Sequence, residues 1–234
     1  MDTATVAAGL GALAGVGIGW FARRQCQLVS AEATYLRRQL RLAEHAATHD
    51  PLTGLPNRRA FYQLGTTMVA DPTRHPLAVA VIDLDGFKSV NDRYGHATGD
   101  EVLVTLAARL ATWAGGDLVA RLSGDEFAGL LCLRAGGRPG PDGSGGLDGS
   151  GGLDALARML ATSLGEPMRV GCGVVQVTAS VGLVPVTVAD NLTDALARAD
   201  AAMYRVKAMH RKQVIRLRTA HPHHVDTPCT EAGG

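Results

Sequence analysis

The residues Arg121–Phe127 (RLSGDEF) stand between two short, largely apolar stretches, Asp117–Ala120 and Ala128–Cys132. Both stretches have the length and composition of buried β-strands. A small residue followed by glycine between two strands is typical of a tight hairpin turn. Asp125 and Glu126 are therefore predicted at the exposed tip of an apolar ribbon. Two acids there suit a metal or a phosphate group, provided that a second acidic strand end lies nearby.

A second acidic strand end occurs upstream, where Asp83 and Asp85 follow the continuous apolar run Leu77–Ile82. Such a run predicts a strand buried on both faces, and an ionised carboxylate at its end is costly unless a cation or hydrogen-bond donors meet it. If this strand lies beside the hairpin, Asp83, Asp125 and Glu126 converge. A divalent cation would relieve their repulsion, and Mg²⁺ is the expected ion where phosphates are the substrate. The alternative is a set of solvated loop acids.

Helices are predicted on either side of this strand. His49–Arg59 contains two prolines and a glycine and is predicted to be a structured turn, in which Asn57 caps a helix that runs to about Val69. Phe87–Asp100 is predicted to form a short helix and a polar loop. An amphipathic helix follows over about Glu101–Trp113.

Asn91 and Asp100 have two interpretations. Both residue types cap helices. An amide and a carboxylate also suit the edge of a guanine base, because Asp accepts from the N1–H and N2–H groups and Asn can donate to O6 or N7. Their spacing alone does not decide between these roles.

The segment 135–152 differs from the pattern of a compact domain, since it contains the sequence DGSGGL and then its repeat. It is predicted to be a flexible surface loop. The elements predicted beyond it are a helix, a strand-rich region, a second helix, a short last strand and a disordered tail: Asp154–Leu164, Met168–Val188, Leu192–His210, Val214–Leu217 and 218–234.

Residues 1–24 are predicted to be a single-pass membrane anchor. Thr3–Ala22 carries no charge, and about 20 helical residues span the ~30 Å hydrocarbon core of a bilayer. Trp20 and Phe21 fall where an interfacial aromatic belt would lie, and Arg23–Arg24 place the rest of the chain in the cytoplasm. A cleaved signal peptide would carry Lys or Arg before the apolar run, which this chain lacks. A buried or surface helix is the remaining alternative.

Residues 25–48 are predicted to form a helical linker. Its small and apolar residues alternate four and three positions apart: Val29, Ala33, Leu36, Leu40, Ala43 and Ala47. This spacing is the seam of a parallel coiled coil, which would pair two chains. A single amphipathic helix packed on its own domain is the alternative.

Composition excludes few classes of protein. The chain has 234 residues, 46% of them hydrophobic, and a formal net charge of +1, so it carries no electrostatic sign of nucleic-acid binding. Its four cysteines form no CxxC pair and are expected to be reduced thiols.

Five blocks of this sequence, taken together, resemble the GGDEF-domain diguanylate cyclases. They occur in the family's order: His49–Arg58, then Asp83–Lys88 with Asn91–Asp92 and Gly95–Asp100, then Arg121–Phe127, Ser180–Gly182 and Ala199–Lys207. The resemblance implies an α+β domain over residues 49–217, with a ferredoxin-like βααββαβ core related to nucleotide cyclases and polymerase palm domains.

The resemblance also implies a reaction. Each domain holds one GTP, two domains meet face to face as a homodimer, and each 3′-hydroxyl attacks the other α-phosphate to give cyclic di-GMP and two pyrophosphates. Asp83, the Leu84 carbonyl, Asp125 and Glu126 are implied at the Mg²⁺ site, with Mn²⁺ as an alternative, and Asp125 and Glu126 are also the implied catalytic residues. Glu126 lies close to the metals and assists deprotonation of the 3′-hydroxyl. Such transfer depends mainly on positioning and on charge neutralisation.

The nucleotide contacts are implied in the same way. Asn91 and Asp100 match the guanine contacts of the family, and Lys207 and Arg211 match the cations that hold the terminal phosphates. Lys207 and Arg211 are four residues apart and so share one helical face. Without the resemblance, a solvated helix end would explain this pair equally well.

Two departures from the family pattern matter. Ser123 stands where the family has its first turn glycine, which predicts retained but weaker activity if the side chain crowds the nucleotide or if the turn needs a positive φ. The product-binding RxxD site reads Ala114–Asp117 here, with the arginine missing, so no product inhibition is expected through it.

These observations predict a membrane-anchored bacterial signalling enzyme, a diguanylate cyclase that only synthesises, since no room is left for a phosphodiesterase domain. The competing hypothesis is a non-catalytic module that binds GTP or a partner protein.

Overall fold

The computed structural model of the protein describes residues 24, 25, 27, 30, 32–133, 150–171 and 173–218, of which residues 150, 151 and 211–218 are described by their backbone alone. The chain divides into two compact units, Met1–Ala47 and Thr48–Gly234.

The first unit contains most of a helix, α1, over residues 32–48. Its large apolar side chains are exposed, among them Leu36 and Leu40 of the predicted seam. The predicted coiled coil, for which a partner chain would cover these residues, stays a prediction. The predicted anchor, 1–24, lies outside the described residues except for Arg24. No helix in the described part of the chain is long and apolar enough to cross a membrane.

The second unit is built around a four-stranded antiparallel sheet in the order β2-β3-β1-β6. A separate hairpin is formed by β4 and β5. The elements are α2 Arg58–Ala70, β1 Leu77–Asp85, α3 Phe87–Tyr94, α4 His96–Ala114, β2 Leu118–Ser123, β3 Glu126–Cys132, α5 Ser150–Leu164, β4 Met168–Val170, β5 Gly173–Val175, β6 Thr178–Val186 and α6 Leu192–Arg218. The order β1-α3-α4-β2-β3-α5-β6 is the predicted βααββαβ arrangement, so the α+β fold is confirmed.

Strand β1 lies in the middle of the sheet and is buried on both faces, as predicted. Because side chains alternate along a strand, Ala78, Ala80 and Ile82 pack into a core with α4 and α5. Leu77, Val79 and Val81 pack instead into a second core with α2 and α6. Odd-numbered side chains of β1 therefore share the face on which α6 packs.

The hairpin between β2 and β3 is confirmed, and it places its acids beside the end of β1. Asp83 stands directly opposite Glu126 in the antiparallel register. The β2–β3 register shifts between Arg121 and Ser123, and Gly124 takes the left-handed conformation at φ 41°. Glycine adopts that conformation without the steric cost that a side chain would add.

Three predictions about local structure were wrong. Helix α4 begins at His96, so part of the predicted polar loop is helical. Thr98 and Gly99 are buried there, and tertiary packing overrides the weak helix propensity of the segment. Helix α5 begins at Ser150, so residues 150–152 of the predicted loop 135–152 are helical. The rest of that loop, to residue 149, lies outside the described residues.

The predicted last strand, Val214–Leu217, is instead part of α6. No glycine or proline interrupts the sequence between Leu192 and Arg218, and adding a residue to an existing helix is far easier than starting a new element. The predicted tail, 218–234, lies outside the described residues after Arg218.

Candidate functional site

Asp83 is the most buried of the predicted acids, with 7% of its surface exposed. Its Oδ1 atom forms an ion pair with the ammonium of Lys207, which α6 supplies. Burial raises the pKa of Asp83, the hydrogen bond and charge of Lys207 lower it, and the negative charges of Asp125 and Asp85 raise it again, so that the net pKa lies above its usual value. Asp125 is thus near enough for its charge to act on Asp83, while their joint role as metal ligands stays a prediction.

Glu126 is held by the residue that departs from the family pattern. The Ser123 hydroxyl donates to Glu126 Oε2 at 2.8 Å. Ser123 ends strand β2, and the positive φ of the turn falls on Gly124. The turn therefore does not require a glycine at position 123, and what the serine adds is a constraint on the Glu126 carboxylate.

A cleft of about 690 Å³ opens between the end of β1, the start of α3, the start of β6 and α6. Its lining includes Leu84 and Asp125, and three side chains that carry or can carry positive charge: Lys88, Lys207 and His210. The N-cap of α3, Gly86, also borders it and makes no side-chain capping hydrogen bond. Unpaired N–H groups at a helix N-terminus and nearby cations favour an anionic group such as a phosphate.

The predicted metal ligands fit Mg²⁺ that arrives with a nucleotide. Within the described residues, no three His, Cys, Asp or Glu side chains form a ready metal site. Mg²⁺ is usually held by one or two carboxylates together with substrate phosphates and water, rather than by a cage of side chains. Asp83 and Asp125 supply those carboxylates, and the pairing of Asp83 with Lys207 shows that this position already attracts a cation.

Asn91 and Asp100 do not cap helices in this structure. The N-caps of α3 and α4 are Gly86 and Gly95. Asn91 Oδ1 is buried and has no hydrogen-bond partner in the described part of the chain, which is uncommon for a buried polar atom. It lies so close to Gly99 that a Cβ there would approach it to 1.8 Å. The capping interpretation is therefore wrong for both residues at these two helices, and their contact with guanine stays a prediction.

The remaining predicted residues are placed only in part. Asp100 is exposed, and it lies with Asn91 outside the lining described for the 690 Å³ cleft. Arg211 lies on α6 four residues after Lys207, and its side chain is outside the described part. At the predicted inhibitory position, Ala114 is buried and Asp117 Oδ2 accepts a hydrogen bond from the Cys132 N–H group at 3.1 Å.

The family model "Diguanylate cyclase, GGDEF domain" matches residues 47–135. The solved GGDEF domain of TpbB from Pseudomonas aeruginosa is 36% identical to this chain with a TM-score of 0.55, and the alignment covers 69% of this chain and 89% of that domain. The chain belongs to the GGDEF domain family. The solved coiled coil and GGDEF domain of DgcB from Caulobacter crescentus, in complex with c-di-GMP, is 26% identical to this GGDEF protein with a TM-score of 0.65, and the alignment covers 80% of this chain and 94% of that solved chain.

Several curated diguanylate cyclases that the chain matches are longer than the chain itself. The diguanylate cyclase TpbB of Pseudomonas aeruginosa is 39% identical over 173 residues, which are 71% of this chain and 37% of TpbB. The chain thus spans little more than a third of that relative.

Sequence reasoning missed a polar cluster at the edge of the cleft of this GGDEF domain. The Asp85 carboxylate accepts hydrogen bonds from Ser180 Oγ at 2.7 Å and from Thr178 Oγ1 at 2.9 Å. His210 Nδ1 lies 2.8 Å from Asp85 Oδ2. Asp85 is two residues after Asp83 on one strand, so the alternation of side chains could have placed both carboxylates on the same face.

A second missed contact ties the turn before α2 to the GGDEF hairpin. Arg121 donates to Asp50 Oδ1 and to the Gly124 carbonyl, both at 2.9 Å. Partial burial raises the pKa of Asp50, but hydrogen bonds from Thr53 and the Arg121 guanidinium outweigh it and hold that pKa below its usual value. The hairpin tip is therefore anchored to the segment through which the chain enters the domain.

Proposed function

We propose that this GGDEF domain is a diguanylate cyclase, which condenses two GTP molecules into cyclic di-GMP and two pyrophosphates. The observation that carries the proposal is the placement of Asp83 at the end of a buried strand, directly opposite Glu126 and paired with Lys207. A carboxylate buried at such a cost is expected where a cation and a phosphate must be held. Membership of the family and the diguanylate cyclases among its relatives support the same activity.

The proposed ligands of Mg²⁺ are the Asp83 and Asp125 carboxylates and the Leu84 carbonyl, with Mn²⁺ as an alternative ion. The bound ion would neutralise negative charge on the phosphates of GTP. Glu126 accepts the proton of the 3′-hydroxyl, within the constraint that Ser123 sets on its carboxylate. In this proposal, the acids therefore hold the cation and receive the proton.

The cations of α6 and the polar residues of α3 and α4 are proposed to hold the nucleotide. Lys207 turns from Asp83 towards the terminal phosphates when GTP binds, and Arg211 contributes a second positive charge. The Asn91 amide donates to O6 or N7 of guanine, and the exposed Asp100 carboxylate accepts from its N1–H and N2–H groups. Guanine would then be selected by the donor and acceptor pattern of its edge.

The proposed enzyme is a homodimer in which two domains meet face to face, because each bound GTP must attack the other. The exposed Leu36 and Leu40 of α1 support pairing of two chains through a coiled coil. We further propose that residues 1–24 anchor the protein in the cytoplasmic membrane with the catalytic domain in the cytoplasm. The missing arginine at Ala114 supports the absence of product inhibition through that site.

Incubation of the 234-residue chain with GTP and Mg²⁺, followed by chromatography and mass spectrometry, tests the proposal. Cyclic di-GMP is the expected product, and Asp125→Asn should lower its rate of formation by at least about 100-fold, since a charge that holds the metal is lost. Asp154→Asn is the matched control, because Asp154 is an exposed acid on α5. A folded, dimeric wild type without product would overturn the enzyme and favour a non-catalytic GTP-binding module. A fully active Asp125→Asn protein would refute the metal role.

A further inference from the structure

His210 lies on the last turn of α6 whose side chains the structure describes, and it contacts the end of β1. Its Nδ1 atom is 2.8 Å from Asp85 Oδ2 and 3.2 Å from Ser180 Oγ. Asp85 is also held by the Ser180 and Thr178 hydroxyls. Asp85 belongs to β1, and the two hydroxyls belong to β6. The cluster therefore connects one helix with two strands.

The direction of these hydrogen bonds follows from the protons available. An ionised Asp85 carboxylate can only accept. The Ser180 hydroxyl uses its one proton for Asp85 Oδ1, at 2.7 Å, so it offers a lone pair to the imidazole. Nδ1 of His210 must then carry the proton and donate it in a hydrogen bond to Asp85. The longer contact from Nδ1 to Ser180 Oγ is the weaker of the two. A residue that replaces His210 keeps the contact with Asp85 only if its side chain places an N–H group at the position of the imidazole Nδ1.

The His210–Asp85 contact runs beside the Lys207–Asp83 ion pair. Lys207 and His210 are three residues apart on α6, which places them on one side of the helix. Asp83 and Asp85 are two residues apart on β1, which places them on one face of the strand. Helix and strand are thus joined by two neighbouring polar contacts at the edge of the cleft.

The two contacts have different fates in the proposed reaction. Lys207 must leave Asp83 to reach the nucleotide phosphates, and Asp83 must then face the metal. Asp85 is no proposed metal ligand, and its oxygens are already bound by protein donors. Earlier on α6, Ala199 packs so tightly against Gly182 of β6 that a Cβ on Gly182 would lie 2.0 Å from the Ala199 carbonyl oxygen. Among the side chains of α6 that the structure describes after Met203, His210 makes the polar contact with β1 that the proposed reaction leaves in place.

We propose that His210 is a positioning residue for GTP binding. Through Asp85 it holds the C-terminal part of α6 against β1, and so keeps the Lys207 ammonium within reach of the terminal phosphates after Lys207 has left Asp83. This inference rests on the proposed function, since it assigns a role at the same nucleotide site. His210 itself need not touch the substrate.

The test compares His210→Ala with His210→Asn. Asn can place its Nδ2–H group near the position of the imidazole Nδ1–H group, whereas Ala cannot donate. His210→Ala should raise the KM for GTP and the Kd for a non-hydrolysable GTP analogue about tenfold while changing kcat less than about twofold. His210→Asn should restore both constants to within about threefold of wild type. A fall in kcat alone, or equal effects of both substitutions, would overturn the positioning role.

Hydrogen exchange of residues 204–210 in the nucleotide-free protein gives a readout that does not need turnover. His210→Ala should accelerate exchange there and His210→Asn should not, with the Tm of both variants close to wild type. Exchange and analogue affinity unchanged in His210→Ala would overturn the inference even if the wild type makes cyclic di-GMP. A wild type that binds the analogue without making product, but still shows these differences, would overturn the proposed function and leave the positioning role standing.

Discussion

Ser123 occupies the turn position where GGDEF domains carry a glycine, and the structure shows what that change does. The left-handed backbone conformation falls on Gly124, so the serine does not strain the turn. Its hydroxyl binds Glu126 Oε2, which is the carboxylate proposed to receive the proton of the 3′-hydroxyl. This hydrogen bond occupies one oxygen of the carboxylate and must break or reorient before that oxygen can reach the 3′-hydroxyl. The serine is therefore expected to slow the chemical step.

Substitution of Ser123 tests this expectation. Ser123→Gly should raise kcat for cyclic di-GMP synthesis about two- to fivefold, because the Glu126 carboxylate is freed from an exposed hydrogen bond worth roughly 0.5–1 kcal/mol. Ser123→Ala removes the hydroxyl but keeps the Cβ atom, so it separates the hydrogen bond from steric crowding. Initial rates at saturating GTP are the measurement. If neither variant exceeds wild-type turnover, the hydrogen bond does not limit the reaction.

Helix α6 carries Lys207 and His210, and its position depends on close packing against the sheet. It crosses strand β6 at Gly182, where an added Cβ would meet the Ala199 carbonyl oxygen at 2.0 Å and the Met203 nitrogen at 2.3 Å. These are backbone atoms and cannot rotate away. The position of the helix, and of its cations, thus depends on the missing side chain at residue 182.

Gly182→Ala is expected to lower the free energy of unfolding by about 3 kcal/mol or more, since α6 must move away from the sheet. It should also raise the KM for GTP. Gly171→Ala is the matched control, because an added Cβ there has its nearest neighbour, the flexible Glu101 side chain, at 3.4 Å. Denaturant unfolding of the two variants is the measurement. Equal stability of the two variants would show that α6 does not pack on Gly182 as described.

The connection between β6 and α6 contains a carboxylate with a pH-dependent role. The backbone N–H group of Thr187, the side chain of Arg198 and the Thr187 hydroxyl together lower the pKa of Asp190 from 3.8 to about 2. Since the folded-state pKa lies below the usual value, ionised Asp190 stabilises the fold above that value. This contribution disappears as the pH falls towards 2.

Asp190→Asn should therefore lower the Tm at neutral pH by a few degrees, with the difference from wild type shrinking as the pH falls from about 5 to about 2. Thermal unfolding across this range is the measurement. Asp194→Asn is the matched control, because it removes one acid from the first turn of α6. A difference between Asp190→Asn and wild type that is independent of pH would mean that Asp190 acts by packing alone.

At the scale of the whole molecule, the compact unit from Thr48 onward contains both cores and the whole candidate site. The preceding helix exposes Tyr35, Leu36, Leu40 and Leu42, which is unusual for side chains of this size. Activity in the proposed reaction needs two domains, so a helix that pairs two chains would set their local concentration.

Deletion of residues 1–47 should lower specific activity at low protein concentration, and the difference from the full-length protein should vanish as the concentration rises. Fusion of an unrelated parallel coiled coil to residue 48 is the matched control and should restore activity. The measurement is the initial rate of cyclic di-GMP synthesis by each of the three proteins over a range of protein concentrations. A truncated protein as active as the full-length chain at every concentration would contradict pairing through this helix.

By itself, the sequence predicted the buried β1 and the hairpin at Arg121–Phe127, because apolar runs and glycine turns are local signals, and the resemblance to the family implied the βααββαβ order. It did not determine that α6 continues through Val214–Leu217, since a short apolar run fits a strand as well as a helix. It also could not place His210 beside Asp85, 125 residues away. Such contacts depend on which helix packs on which face of the sheet. The two cores on either face of β1 determine this arrangement.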